Sequence, residues 1–395
     1  MPATPDRPKT ADTPTARPGA GGRVLVVGAG IAGLSTAWAL IRRGFAVEVF
    51  EAGPVPNPRS SSHDEHRITR HAYGPFAGYA RMMPEAFAAY ERLFADLGAR
   101  HIDERPILVL QREASDWFAA SLADLGALGI AHRELSPAAI AERYPMLDAT
   151  GVSAAFLSEG AGMLFPIRIL TDLVVHLAGR GVVFHPHTRV EAVDQEAGTL
   201  RAGGVTHGGD AVVVAAGAWA GRLVPELRGL AVPSRQTVIY LAPPPALHDA
   251  WRAAPVIIDL GERSGTYTLP PSPGTRLKMG DHHFTRRGDP DDDRVAEAAD
   301  VARLEAAARL AYRGFDRYTR LEHKICYYTV TEDESFVVKP IGARGYLQSA
   351  CSGHGFKLAP LISEGVADAI AGARPRDGLE SWAAGREETG GRRAA

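Results

Sequence analysis

Arg67 and Arg70 stand three residues apart in the run SHDEHRITRHAYG, with His63, His66 and His71 beside them. Arginine presents a planar fork of donors that matches a carboxylate in bidentate fashion. Residues 54–70 are rich in Pro, Ser, His and Arg and show no hydrophobic period. The two arginines therefore form either a solvated basic patch or an anion site in a loop that closes over something. A third cation, Lys357, follows Gly353-His354-Gly355-Phe356 just before a helical run. By itself it reads as a surface lysine. Two cationic groups converging on one small acid is the more coherent picture. Cys326 lies in the apolar, aromatic run KICYYTVT, where a buried structural thiol is the ordinary reading. Lys278 and His282 stand four apart in LKMGDHH, without metal-ligand spacing. No H-E-x-x-H, C-x-x-C or clustered Asp/Glu/His set is present, so no metal is expected. No G-x-S-x-G elbow points to a serine hydrolase.

A phosphate-binding chemistry is written more openly. Gly28, Gly30 and Gly33 form G-x-G-x-x-G directly after RVLVV (residues 23–27) and before the helical run LSTAWALIRRG. Glu51 ends the next strand, AVEVFEA, 23 residues beyond Gly28. The first glycine permits a tight turn, the second a close approach to a pyrophosphate, and the third tight packing of helix on strand. The helix N-terminus favours the phosphates, and Glu51 can accept hydrogen bonds from an adenosine ribose. A glycine-rich turn without a ligand would not need all of strand, spacing and acid. The motif does not by itself choose FAD over NAD. A second glycine-bearing strand, DAVVVAAGAWAG at 210–221 with Gly217 in its turn, and the loop 351–357 with Gly353 and Gly355, lie far away in sequence. That dispersion suits a long FAD held by several segments.

These groups must be positioned by a chain that opens in βαβ order. Residues 77–98 are helical in pattern, RPILVLQ is a strand and 113–127 a helix. SPAAIAERYP is a short helix with Ser136 as cap and Pro137 in its first turn. Helix 166–179 leads into GVVFHPHTRVEAV, a bent strand or strand pair. Between 226 and 290 the runs SRQTVIYLA, APVIIDL, GTYTLPP and TRLKMGDHHF alternate with turns, as in an antiparallel sheet. Residues 291–315 read as helix, and HKICYYTVT and SFVVKP as strands. A strand, a Gly-rich loop and a helix follow. The expected fold class is α/β plus α+β: a Rossmann-like FAD-binding domain with an interleaved substrate domain built on a largely antiparallel sheet. The FAD-binding domain is assigned residues 22–100, 160–225 and 320–375, and the substrate domain 101–159 and 226–319. Residues 1–21 are expected to be a disordered tail and 376–395 a C-terminal tail.

Length and composition agree. The 395 residues suffice for one large or two medium domains. A charged fraction of 23% and a net charge of -2 show no basic excess for nucleic acid. Residues 1–20 lack the apolar core of about 7–15 residues that a secretory signal needs. Nothing approaches the roughly 18 continuous apolar residues of a membrane helix. Two cysteines cannot build a disulfide framework. A cytoplasmic, thiol-reducing setting is the simplest account, with a single Cys326–Cys351 bridge left open.

The stretches VVGAGIAGLSTAWAL, SHDEHRITRHAYG, AAGAWAG, RLKMGDHH, KICYYTVTEDESFVV and CSGHGFKLAP together resemble the monomeric sarcosine oxidase and N-methyltryptophan oxidase family, within the glycine and D-amino-acid oxidase-like flavoproteins. The resemblance covers about residues 23 to 375, and the last five stretches are more specific than the glycine motif. It implies FAD, oxidation of the C–N bond of a small N-alkyl or cyclic amino acid to an imine, and reduction of O2 to H2O2. By matching positions it implies that Cys326 bonds covalently to the flavin 8α carbon and that Arg67 and His63 lie near the flavin ring. Arg70 and Lys357 would bind the substrate carboxylate, and Lys278 would promote the oxygen reaction. His282 would be the active-site histidine, Tyr267 and Tyr328 would line the substrate cavity, and Val190 would join the cofactor-binding residues. A monomer is expected, with the amino acid and O2 as its partners and neither nucleic acid nor membrane. Departures fall at Asp64, Glu65 and His66, where small and polar residues usually stand, at Asp281 in place of an aromatic, and at Cys351 in place of phenylalanine. They bear on substrate size and charge more than on reaction type. Sarcosine, N-methyl aromatic acids, cyclic imino acids and an iminodiacid all stay open. So do a dehydrogenase using another electron acceptor and a non-catalytic flavin-binding protein.

Overall fold

The structure is a computed structural model that describes residues 21–349 and 351–386. The expected disordered tail, apart from Gly21, and the last nine residues of the C-terminal tail lie outside the described residues. Strand Arg23–Val27 is buried from its second residue onward, as a parallel strand covered on both faces must be. It sits in a six-stranded sheet with the order Val337–Ile341, Gly345–Ser349, Ala211–Val214, Arg23–Val27, Ala46–Phe50, Val183–His185. All neighbours pair parallel except the first two strands. Successive side chains alternate between faces. Val24 and Val26 meet the layer of helices Ile31–Ile41, Ala77–Leu97, Pro166–Gly179 and Ala359–Ile370. Leu25 and Val27 meet Val190, Leu200 and Ala202 on the opposite side, where a three-stranded antiparallel sheet covers the face. This is the Rossmann-like part of the expected architecture.

The second part is an eight-stranded sheet in the order Thr319–Thr331, Ala231–Ala242, Leu277–Asp281, Thr266–Leu269, Val256–Asp259, Ile107–Gln111, Ala154–Ser158, His132–Leu135. It is antiparallel except where Val256–Asp259 pairs parallel with Ile107–Gln111. On one face Ile239, Leu241, Leu277 and Met279 pack with Leu304 and Ala308 of helix Ala298–Ala311. The register puts Tyr240 opposite Lys278, Val238 opposite both Gly280 and Lys324, Gly280 opposite Tyr267, Gln236 opposite Cys326 and Ser234 opposite Tyr328. Directly opposed residues share a face. Lys278, Tyr267, Tyr240, Lys324, Cys326 and Tyr328 therefore all stand on the face away from that helix. A fourth sheet, of three short strands, Arg67–Thr69, Gly162–Leu164 and Ile102–Glu104, holds Arg67 opposite Leu164.

Three expectations need correction. The helix expected over 291–315 spans only Ala298–Ala311. Asp289, Asp292 and Asp293 each accept the backbone N–H two residues on, at 2.8, 3.0 and 3.0 Å, and such turns compete with helix formation. Residues 320–331 were grouped with the FAD segments, yet their strand is the edge of the eight-stranded sheet, paired along Ala231–Ala242. That pairing is long-range and leaves no local trace. Within the expected tail at 376–395, Leu379–Ala383 is a helix whose Leu379 and Ala383 are buried in the helical core. Among the described residues no helix is long and apolar enough to cross a membrane.

Candidate active site

The glycine turn is built by close contacts. Gly28 has φ +103°, and a Cβ there would lie 2.5 Å from the Ala215 carbonyl oxygen. A Cβ on Gly33 would lie 1.9 Å from the carbonyl oxygen of Gly28, so neither position accepts a side chain. Helix Ile31–Ile41 starts without a side-chain cap on Gly30, and its Ile31 N–H donates to Ser62 Oγ at 3.0 Å. Glu51 accepts hydrogen bonds of 2.9 Å from the N–H groups of Ala29 and Gly53 and from Asn57 Nδ2. A carboxylate has about four acceptor positions, which leaves room for a hydroxyl. A cavity of about 380 Å³ runs along these groups; Gly28, Gly30, Glu51, Val190, Gly217 and Gly355 are all in its wall. It extends past Ser61 and Ser62 to Thr329, Cys351 and Phe356. A helix start with spare donors, a carboxylate at the second strand's end and an elongated cavity fit the diphosphate and ribose of FAD.

Gly33, Gly353, His63, Arg67, Cys326 and Lys357 are not part of that wall. Gly353 lies against the Tyr328 ring, where a Cβ would come within 2.7 Å of a ring carbon. Gly280 makes room in the same way for Tyr267, at 2.5 Å. Both thiols are free, which closes the question of a Cys326–Cys351 bridge. Cys326 is buried at 5% exposure and lies within the electrostatic reach of Arg67, Lys278, Lys324, Tyr267 and Tyr328.

Two clusters of cations occupy the space between the sheets. In the first, Asp64 receives Arg67 and the Tyr240 hydroxyl as hydrogen-bond donors, and Lys278 Nζ at 2.6 Å. Arg67 also donates to the Ser61 carbonyl at 2.7 Å, and Lys324 Nζ to the His63 carbonyl at 2.8 Å. Lys278 is 1% exposed. Burial and the nearby Arg67 charge pull its pKa well below the usual lysine range, against the opposing pull of the Asp64 carboxylate. Burial also lowers the pKa of His63.

The second cluster joins Arg70 and Lys357. Both are buried, at 7% and 6% exposure. The Arg70 guanidinium stacks over Tyr73 at 4.8 Å and Trp117 at 5.3 Å, and Lys357 Nζ lies 5.4 Å from the Tyr73 ring. Lys357 donates to the His354 carbonyl at 3.2 Å, whereas Arg70 Nη1 is buried without a hydrogen-bond partner among the described residues. No carboxylate among the described residues forms an ion pair with either cation, so two buried positive charges converge without an anion. Burial lowers both pKa values, and the Arg70 charge lowers that of Lys357 further. His282 keeps more than a third of its surface open, yet burial together with Arg70 and Lys357 lowers its pKa to about 4. That combination marks a side chain facing internal space, neutral at physiological pH. Tyr267 is pushed up to about 12 by burial; Tyr328 is raised as well, also by burial. Both phenols are protonated. The departures at Glu65 and Asp281 are engaged elsewhere: Glu65 binds Arg276 at 2.6 Å and Asp281 binds Arg303.

Asp64 and Lys324 belong to this constellation; Lys324 was not singled out, and Asp64 was noted only as a departure from the family pattern. Lys324, Cys326 and Tyr328 fall at every second position of one strand, a spacing that could have found Lys324. Asp64 meets Lys278 across 214 residues of chain, and no local pattern announces that.

A family model described as FAD dependent oxidoreductase matches residues 23–369. Peroxisomal sarcosine oxidase of Mus musculus is 28% identical over 354 residues, covering 86% of this chain and 90% of that protein. N-methyl-L-tryptophan oxidase of Yersinia pestis (strain Pestoides F) is 24% identical over 358 residues, covering 86% and 92%. Among solved structures, L-proline dehydrogenase from P. horikoshii superposes with a TM-score of 0.78 at 19% identity, over 92% of this chain and 96% of that one. This last likeness concerns the fold.

Proposed function

The chain belongs to the FAD-dependent oxidoreductase family, and from that premise we propose that it is an oxidase of a small secondary amino acid, N-alkyl or cyclic. It would convert the C–N bond to an imine and O2 to H2O2. The observation that carries this reading is the pair of buried cations, Arg70 and Lys357, with Arg70 Nη1 lacking a partner. Unpaired buried charge is costly, and a substrate carboxylate would supply the missing anion with a bidentate fork. FAD, when bound, supplies the redox chemistry by accepting two electrons from the substrate and passing them to the acceptor. Gly28, Gly30, Glu51, Val190, Gly217 and Gly355 would hold it, with Cys326 as its covalent attachment. The protein's own part is orientation and charge. Oxidation requires the amine's lone pair, so the substrate must react as a neutral amine. Arg70, Lys357, neutral His282 and the protonated phenols of Tyr267 and Tyr328 form a surrounding that disfavours an ammonium. No single group among them is assigned as general base. Cys326 and Cys351 form no bridge with each other; we take the setting to be reducing and cytoplasmic, and the protein to be a monomer.

The reading is tested by mixing the yellow protein anaerobically with a panel of secondary amino acids: sarcosine, N-methyl aromatic acids, cyclic imino acids and iminodiacetate. At least one should bleach the flavin band, and admission of air should consume O2 and form peroxide in equal amounts. Bleaching without oxygen uptake would replace the oxidase by a dehydrogenase. No bleaching by any member would leave a binding protein.

Covalent attachment makes its own prediction. The yellow colour should remain with the protein after acid precipitation, and Cys326→Ser should release it or yield apoprotein. A peptide map of active enzyme with free Cys326 would refute the linkage.

A further inference from the structure

The described site contains one buried acid that the proposed reaction does not use. Asp64 is 2% exposed, and its two oxygens are fully engaged. Oδ2 accepts from Lys278 Nζ at 2.6 Å and from Arg67. Oδ1 accepts from the Tyr240 hydroxyl and from the Glu65 N–H at 2.8 Å, with Lys324 Nζ 4.0 Å away. Such a carboxylate is held in one place.

The groups that face Lys278 come from each element packed around it. The segment of Asp64 also brings Glu65, Arg67 and the His66 carbonyl, the last at 3.4 Å. Strand Ala231–Ala242 brings Tyr240 directly opposite. Strand Thr266–Leu269 brings the Tyr267 ring at 6.0 Å, and strand Thr319–Thr331 brings Lys324 and Cys326. Of the two acids, Glu65 is already tied to Arg276 at 2.6 Å. The His66 ring is neutral, its pKa pulled to about 3 by burial. Of the acids among the described residues, only Asp64 is in contact with the ammonium. Without it Lys278 would stand in a dry site beside two further cations, Arg67 and Lys324, and both burial and like charge would expel its proton.

We infer that Asp64 is a positioning residue that keeps Lys278 in its ammonium form and aims it, so that the charge offered to oxygen depends on a pair of residues. The oxygen half of this inference rests on the oxidase reading above; the counter-ion half does not. A purely structural ion pair would stabilise the fold without governing when Lys278 loses its proton, and that difference is measurable.

The chain has only five lysines, so lysine-selective ¹³Cε labelling of the FAD-bound protein gives a spectrum simple enough to titrate. The Lys278 signal is identified by its absence in Lys278→Met. In Asp64→Asn its midpoint should fall by about 1–3 pH units relative to wild type, the usual effect of an adjacent opposite charge. Oxygen uptake by the substrate-reduced variant should slow at least about tenfold at neutral pH and recover as the pH is lowered through the new midpoint. Asp64→Glu, which keeps the charge, should keep the midpoint within about half a unit of wild type. An unchanged midpoint in Asp64→Asn overturns the proposal. A shifted midpoint with an unchanged oxygen rate upholds the counter-ion role and defeats instead the assignment of Lys278 to oxygen. Should Asp64→Asn not fold, the wild-type titration decides: a Lys278 already neutral at pH 7 beside an intact Asp64 overturns the proposal, and an ammonium there upholds it.

Discussion

Arg70→Ala should lower kcat/KM for the amino-acid substrate by at least about a hundredfold, or roughly 2.7 kcal/mol. An amine of the same shape without a carboxylate should lose less than about threefold. The difference follows from where the charge sits. The Arg70 guanidinium is buried, sandwiched over Tyr73 and Trp117, and one of its nitrogens has no hydrogen-bond partner among the described residues. A charge-assisted hydrogen bond is worth about 1.5–3 kcal/mol, and a bidentate fork makes two. Lys357→Ala should follow the same pattern with a smaller loss, at least about tenfold, because its ammonium retains the His354 carbonyl as one partner and offers a point charge in place of a fork. Arg70→Lys should recover only part of the loss for the same reason. The measurement is steady-state kinetics on a matched pair of amino acid and amine. Equal losses on both members would count against a carboxylate clamp and would point to a general packing defect around Tyr73.

Lys278→Met should separate the two halves of turnover. Anaerobic reduction by the amino acid should stay within about tenfold of wild type, a change below roughly 1.4 kcal/mol. Oxygen uptake by the reduced enzyme should slow by at least about a hundredfold, or roughly 2.7 kcal/mol. Electrons arriving on O2 create negative charge, and a preorganised cation in a partly dry site stabilises it at little cost in reorganisation. Lys278 meets that description: its side chain is 1% exposed, on the sheet face that also carries Tyr267, Cys326 and Tyr328. Methionine keeps most of the length and removes the charge. It also leaves Asp64 with Arg67 in contact and Lys324 at 4.0 Å, so the acid does not become an orphan. Stopped-flow traces of each half-reaction decide the matter. Impaired reduction with normal oxygen uptake would move Lys278 into the substrate site.

How much of this was legible beforehand differs from residue to residue. The glycine turn could be read because its constraint is local: Gly28 and Gly33 are glycine since a Cβ would strike Ala215 or Gly28 itself, and strand, turn and helix are contiguous. The strands at 256–259, 266–269 and 277–281 could be read from short apolar runs between turns. The helix expected from 291 could not be placed, since its Ala-rich composition hid three aspartates that bind the backbone ahead of it. The roles of Lys278 and Cys326 came through resemblance, whereas Arg70 and Lys357 were also read from their own types as an anion site, beside a surface reading.

Taken alone, the amino-acid sequence determined what local chemistry determines. It specified a dinucleotide turn with an acid at the end of the next strand, an apolar set of strands and helices for two kinds of sheet, and a supply of cations in chemically suggestive runs. Tertiary structure decided which cations meet an acid. Lys278 and Arg67 share Asp64, while Arg70 and Lys357 reach buried positions with no acid to pair them among the described residues. The physical reason is distance along the chain. Asp64 and Lys278 are 214 residues apart, and Cys326 reaches the same face only because Thr319–Thr331 pairs in register along Ala231–Ala242. Charge alone does not specify such contacts. The register of the sheet does, and that register is set by burying Ile239, Leu277 and Met279 on the opposite face.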